Sequence, residues 1–155
     1  MTISLDIQMA CSSEEAPEED SMRRWACAAL SEERVDAELS VRIVDEQESA
    51  TLNQQYRGKA GPTNVLSFPF DAVTPEPLPM LGDLVICAPV VGREAAEQNK
   101  SVEANWAHMC VHGVLHLLGY DHVGYRDAEV METLETDILL GLGFPAPYSF
   151  PDTSD

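Results

Sequence analysis

Residues 112–122 read HGVLHLLGYDH, and the way this stretch folds decides how the rest of the chain is arranged. It holds three of the four histidines, and the fourth, His108, lies one helical turn upstream. At about 100° per residue His108, His112 and His116 form one narrow stripe, with Trp106, Cys110, Val114, Leu117 and Leu118 on the opposite side. The expectation is a helix opening at Ser101, which suits an N-cap, and running to about Leu118. Its apolar side faces the core and its histidines face away. Gly119 suits the C-terminal cap, because glycine enters left-handed backbone without steric cost. Tyr120 and Asp121 then carry the chain back to deliver His122.

Side chains four apart on a helix are neighbours, with Cβ atoms about 5–6 Å apart. That spacing lets His112 and His116 converge on one zinc ion at about 2.0–2.1 Å, with His122 as a third nitrogen. Three protein ligands with an open position form the catalytic type of zinc site, whereas closed four-ligand sites are structural. Two histidines four apart would equally fit a solvated polar face. The glycine and the third histidine, six residues further on, favour the metal. His108 reads as a supporting or surface residue rather than a fourth ligand, and Asp121 as a support for His122 or a turn cap.

The spacing H-x₃-H-x₂-G-x₂-H is shared with metzincin proteases, which place a glutamate after the first histidine to take the proton from water. Here that position is Gly113, which has no acid–base chemistry and costs about 1 kcal/mol inside a helix. Its presence implies close approach of another backbone or of a substrate. The missing base argues against peptide hydrolysis and for a reaction that relies on electrostatic stabilisation.

Away from this motif, Ile3, Leu5, Ile7 and Met9 alternate with polar residues, as do Leu39, Val41 and Ile43, the period of a strand. NVLSFPF at 64–70 and LGDLVICAP at 81–89 read as two more strands, separated by a proline-rich loop. Helices are expected at about 20–31, from Asp45 to about Tyr56, at 89–98 and at 126–141. Asp45 and Glu48 have the spacing of a capping box. This order predicts one α+β or α/β layered domain spanning 1–155, with a flexible tail from about 144.

Cys11, Cys27, Cys87 and Cys110 lack metal-site spacing, and Cys87 and Cys110 sit among apolar neighbours, where a thiol packs as a small hydrophobe. No signal peptide or apolar span is visible, so a cytoplasmic protein without membrane contact is expected. The formal net charge of −18 excludes broad electrostatic affinity for nucleic acid, because phosphate contacts dominate such binding. Residues 49–70 are the exception: they contain no acid and carry Arg57 and Lys59, a local net charge of +2. Arg57 either braces a phosphoryl group or answers the carbonyl dipole at a helix end. Tyr56 and Phe68 could stack bases, although Phe68 and Phe70 also fit a core face. Thr63, Asn64 and Ser67 could line a cleft.

HGVLHLLGYDH, together with YRGKAGPTNVLSFPF and LGDLVI upstream, resembles the YbeY family of bacterial metal-dependent endoribonucleases, from about Ile43 to Gly143. The resemblance implies an α+β fold, a small mixed sheet of about four strands with helices packed around it. It implies one Zn2+, or another divalent ion, held by His112, His116 and His122, and Arg57 as the catalytic arginine beside it. It further implies a cleft for single-stranded RNA, to which Arg57, Lys59, Asn64 and Ser67 are assigned. The activity implied is maturation of rRNA, notably at the 3′ end of the small-subunit species, and ribosome quality control. Ribosomal proteins and a ribosome-assembly GTPase are the implied partners, and DNA is not an expected substrate. The family commonly has an aspartate after the lysine of YRxK, where this chain has Ala60. Two other readings stand beside this one: a different zinc metallohydrolase, and a ribosome-assembly module with a structural metal.

Overall fold

The structure, a computed structural model, describes residues 2–11, 16–30, 36–69, 80–119 and 125–147. In chain order the elements are β1 (Thr2–Met9), α1 (Glu19–Leu30), β2 (Asp36–Val44), α2 (Glu46–Arg57) and β3 (Val65–Pro69). They continue with β4 (Met80–Cys87), α3 (Ala88–Glu97), α4 (Val102–Leu117) and α5 (Tyr125–Gly141). The fold is mixed α+β, as expected, with one four-stranded sheet in the order β1-β2-β4-β3. β1, β2 and β4 run parallel, and β3 joins β4 antiparallel as an edge strand.

The alternation that marks the strands also divides the core into two. Leu39, Val41, Ile43, Val65, Leu84 and Ile86 face the larger cluster, which α1, α4 and α5 complete through Trp25, Leu30, Trp106, Leu115, Met131 and Leu139. Leu66, Val85 and Cys87 face the other side, where Leu52 of α2 packs with Phe68. Phe144, where the tail was expected to begin, meets Trp25 edge-on at 6.0 Å. Cys87 and Cys110 are buried free thiols, and burial pushes Cys110 up to about 12. No helix among the described residues is long and apolar enough to cross a membrane.

Local signals set the helix starts. Ser101 Oγ accepts from the Ala104 amide at 3.0 Å and caps α4. Asp45 Oδ1 accepts from the Glu48 amide at 2.9 Å and caps α2. Glu48 does not reach back to complete a capping box. Its carboxylate takes a two-pronged contact from Arg42 on β2 instead.

α4 differs from its expected form. An apolar face opposite a solvent-facing histidine stripe was expected, but the helix is buried on nearly all sides between α1, α3, α5 and the sheet. Gly113 allows this. A Cβ there would lie 2.6 Å from Leu84 Cδ2, so α4 packs against the sheet more closely than a side chain at this position allows unless Leu84 shifts. The close neighbour is thus a strand side chain, neither the backbone nor the substrate expected.

Gly82 serves the sheet in a harder way. Leu81 is an extra residue opposite the Glu38–Leu39 step, and Gly82 beside it has φ +145°. A Cβ on Gly82 would lie 2.4 Å from the Phe68 carbonyl oxygen, which is backbone and cannot rotate away. Gly82→Ala is therefore expected to cost about 2–4 kcal/mol in urea unfolding. Gly113→Ala should cost less, about 0–2 kcal/mol, since helix propensity returns part of the overpacking. In a Leu84→Ala background the sign should reverse, and Gly113→Ala should become stabilising by up to ~1 kcal/mol. Equal costs in both backgrounds would show that Leu84 does not set the spacing.

Candidate metal centre and cleft

α2 ends where glycine lets the chain reverse. Arg57 is its last residue, and Gly58 follows with φ 66° as the left-handed cap, its amide turned back onto α2 carbonyls. Two buried polar side chains of α2 then hold the returning loop. Asn53 Nδ2 donates to the Gly61 carbonyl at 2.9 Å. Ser49 Oγ both donates to the Thr63 carbonyl and accepts from the Thr63 amide, each at 3.0 Å. These bonds fix the path from Arg57 into β3. Asn64 continues it, accepting from the Val65 amide at 2.7 Å and donating to Glu94 Oε1 at 3.0 Å.

The result is a cleft of about 660 Å³ that runs over β3. Arg57, Asn64, Ser67, His112 and His116 all line it, with Tyr56 and Phe68 on the wall. Tyr56 is 65% exposed, and its ring meets Phe68 edge-on at 4.9 Å. Lys59 is exposed and is not among the lining residues. His122 and Asp121 lie outside the described residues, as does Phe70. The described lining contains no carboxylate, although the chain has a formal net charge of −18.

Ser67 and Asn64 enter differently from the way the sequence suggested. Ser67 Oγ donates to the Gly113 carbonyl at 3.3 Å, which leaves its lone pairs toward the cleft. The Asn64 amide bonds Val65 and Glu94, which holds it in the cleft wall with one N–H and one lone pair still available.

On the floor, His112 Nε2 and His116 Nε2 are 3.1 Å apart. Two nitrogens bound to one tetrahedral zinc at about 2.0–2.1 Å lie roughly 3.3 Å apart, so the pair fits an ion with little movement. Behind it sits a residue the sequence reading missed. Glu135 of α5 is 0% exposed, and its two carboxylate oxygens meet His108 Nε2 at 2.9 Å and His112 Nδ1 at 2.7 Å. His108 is thus a buried partner of Glu135 and not a surface residue. Burial holds His108 below the usual histidine range, and Glu135 opposes that shift only in part. His108, His112 and Glu135 are themselves close enough to be a second possible set of ligands. The available signal was positional. Met131, Glu135 and Leu139 are spaced by four along one buried stripe of α5, and a carboxylate in such a stripe needs partners.

A family model described as Endoribonuclease YbeY matches residues 6–143. Among solved structures, the solution structure of TM1509 from Thermotoga maritima is similar, with 26% identity and a TM-score of 0.57. The alignment covers 97% of this chain and 98% of that one.

The ties that hold the loop from Arg57 to β3 can be tested directly. Asn53→Ala removes the bond to Gly61, and we expect a loss of about 1–3 kcal/mol in urea unfolding. Thr51→Ala, on the exposed side of the same helix, should stay within about 0.5 kcal/mol of wild type. Equal, small effects would show that the loop is held in some other way.

Proposed function

The chain belongs to the YbeY endoribonuclease family, and from that premise we propose that it cleaves single-stranded RNA using one divalent ion, zinc first. His112, His116 and His122 would hold the ion. The observation that carries this reading is the single cleft in which Arg57 faces a histidine pair 3.1 Å apart, in a described lining free of carboxylates. A described lining free of acid in so acidic a chain suits a polyanion. When bound, the ion supplies Lewis acidity toward a phosphoryl oxygen.

The chain's own residues supply the rest. Arg57 stands at a helix end, exposed and aimed by the Gly58 reversal, where its planar guanidinium can grip two phosphoryl oxygens and stabilise developing charge. Tyr56 and Phe68 offer aromatic surface for a neighbouring base. Ser67 presents an acceptor, which suits a ribose hydroxyl better than a phosphate. Lys59 adds charge at the rim.

The place of action we propose is rRNA maturation, at the 3′ end of the small-subunit species, and ribosome quality control in the cytoplasm. Ribosomal proteins and a ribosome-assembly GTPase would act as partners. The acidic surface supports this, because the protein lacks the long-range attraction needed to find RNA by itself. A peptidase reading gains something from the edge strand β3, but the described lining offers no carboxylate to take the proton from water as the metzincin glutamate does.

Labelled single-stranded RNA incubated with zinc-loaded protein should be cut, and His112→Ala purified in parallel should leave it intact. Arg57→Ala should lower kcat by about 10²–10³-fold, as loss of one transition-state donor does. Tyr56→Ala should act mainly on KM. Cleavage that is equal in wild type and His112→Ala would identify a contaminating nuclease and remove the assignment.

A further inference from the structure

Glu135 lies outside the cleft, yet it touches the residue at the cleft's centre. Its position on α5 falls between Met131 and Leu139, where an aliphatic side chain would pack without cost. A carboxylate sealed at 0% exposure is expensive unless its oxygens are bonded. Here both are, one to each histidine. An ionised carboxylate only accepts hydrogen bonds, so each ring must present an N–H to it. With Glu135 ionised, His108 carries its proton on Nε2, and His112 on Nδ1. A neutral imidazole has one N–H, so His112 Nε2 is then the acceptor nitrogen of the ring, 3.1 Å from His116 Nε2.

We infer that Glu135 is a positioning residue, buttressed by His108, which fixes the tautomer and ring orientation of His112 so that Nε2 is presented to the metal. The inference rests on the reading of His112 as a ligand. Carboxylates that grip the far nitrogen of a metal-binding histidine act in this way generally. The same geometry argues against His108, His112 and Glu135 as the ligand set. His112 Nδ1 and Glu135 Oε2 are 2.7 Å apart, a hydrogen-bond distance, and tighter than two ligands of one ion sit. Glu135 and His108 are also sealed, at 0% and 7% exposure, whereas His116 and His112 line open space.

Glu135→Gln provides the test. Its single carbonyl oxygen can serve one ring, and its NH₂ must face the other, so the two rings can no longer both donate. Zinc affinity of the full-length protein would be measured by competition with a chromophoric chelator, for wild type, Glu135→Gln and His112→Ala. Histidine tautomers would be read from long-range ¹H–¹⁵N spectra of the metal-free proteins. The expected result is a wild-type His112 protonated on Nδ1, and a ten- to hundredfold weaker affinity in Glu135→Gln with an unchanged far-UV spectrum. Affinity within twofold of wild type in Glu135→Gln, with binding lost in His112→Ala, would overturn the positioning role and leave the metal reading intact. Wild-type zinc binding by His112→Ala would instead remove the metal reading itself. If Glu135→Gln fails to fold, the wild-type spectrum decides, and a His112 protonated on Nε2 overturns the inference.

Discussion

The distance between α4 and the sheet is the constraint on which everything else in this molecule depends. Gly113 sets it by letting Leu84 occupy the volume that a side chain would need. Closing that gap brings the Gly113 carbonyl within reach of Ser67 on β3 and places His112 and His116 beside that strand. The cost of about 1 kcal/mol for glycine in a helix is the cost of a cleft wall made of strand and helix in contact. The same closeness buries α4 on its remaining sides, so Asn105 and His108 need partners within the protein.

That demand explains the polar layout. Asn105 donates to the Val91 carbonyl at 2.8 Å, and His108 meets Glu135. On α2, the buried Ser49 and Asn53 hold the loop that carries the chain from Arg57 to β3. Ser49 and Asn53 thus sit where the cleft needs a fixed wall. All the acidic residues lie in the rest of the chain, while residues 49–70 stay free of acid. Fold and electrostatics thus agree on one face for an anionic ligand.

Much of this was legible beforehand. Period-two alternation located β1 and β2, and the Ser101 and Asp45 caps located the starts of α4 and α2, because these signals are local. The i, i+4 pair of histidines was legible for the same reason. What escaped was set by contacts between distant elements. Leu84 lies 29 positions before Gly113, and Glu135 lies 27 after His108, so no window along the chain joins them. The reading of α4 as half-exposed failed because helical periodicity counts apolar side chains and does not recognise a histidine bonded to a buried carboxylate. Asn64 was legible as a cleft residue but not as one whose amide is held by Val65 and Glu94.

The central claim is that the metal belongs on the cleft side of His112 and not on its buried side. Anomalous diffraction at the zinc edge from crystals of the loaded protein would test it most directly. The expected result is one peak bonded by the Nε2 atoms of His112 and His116, with the Glu135 carboxylate still on His112 Nδ1. A peak held by Glu135 and His108, or none in crystals soaked to saturation, would contradict it.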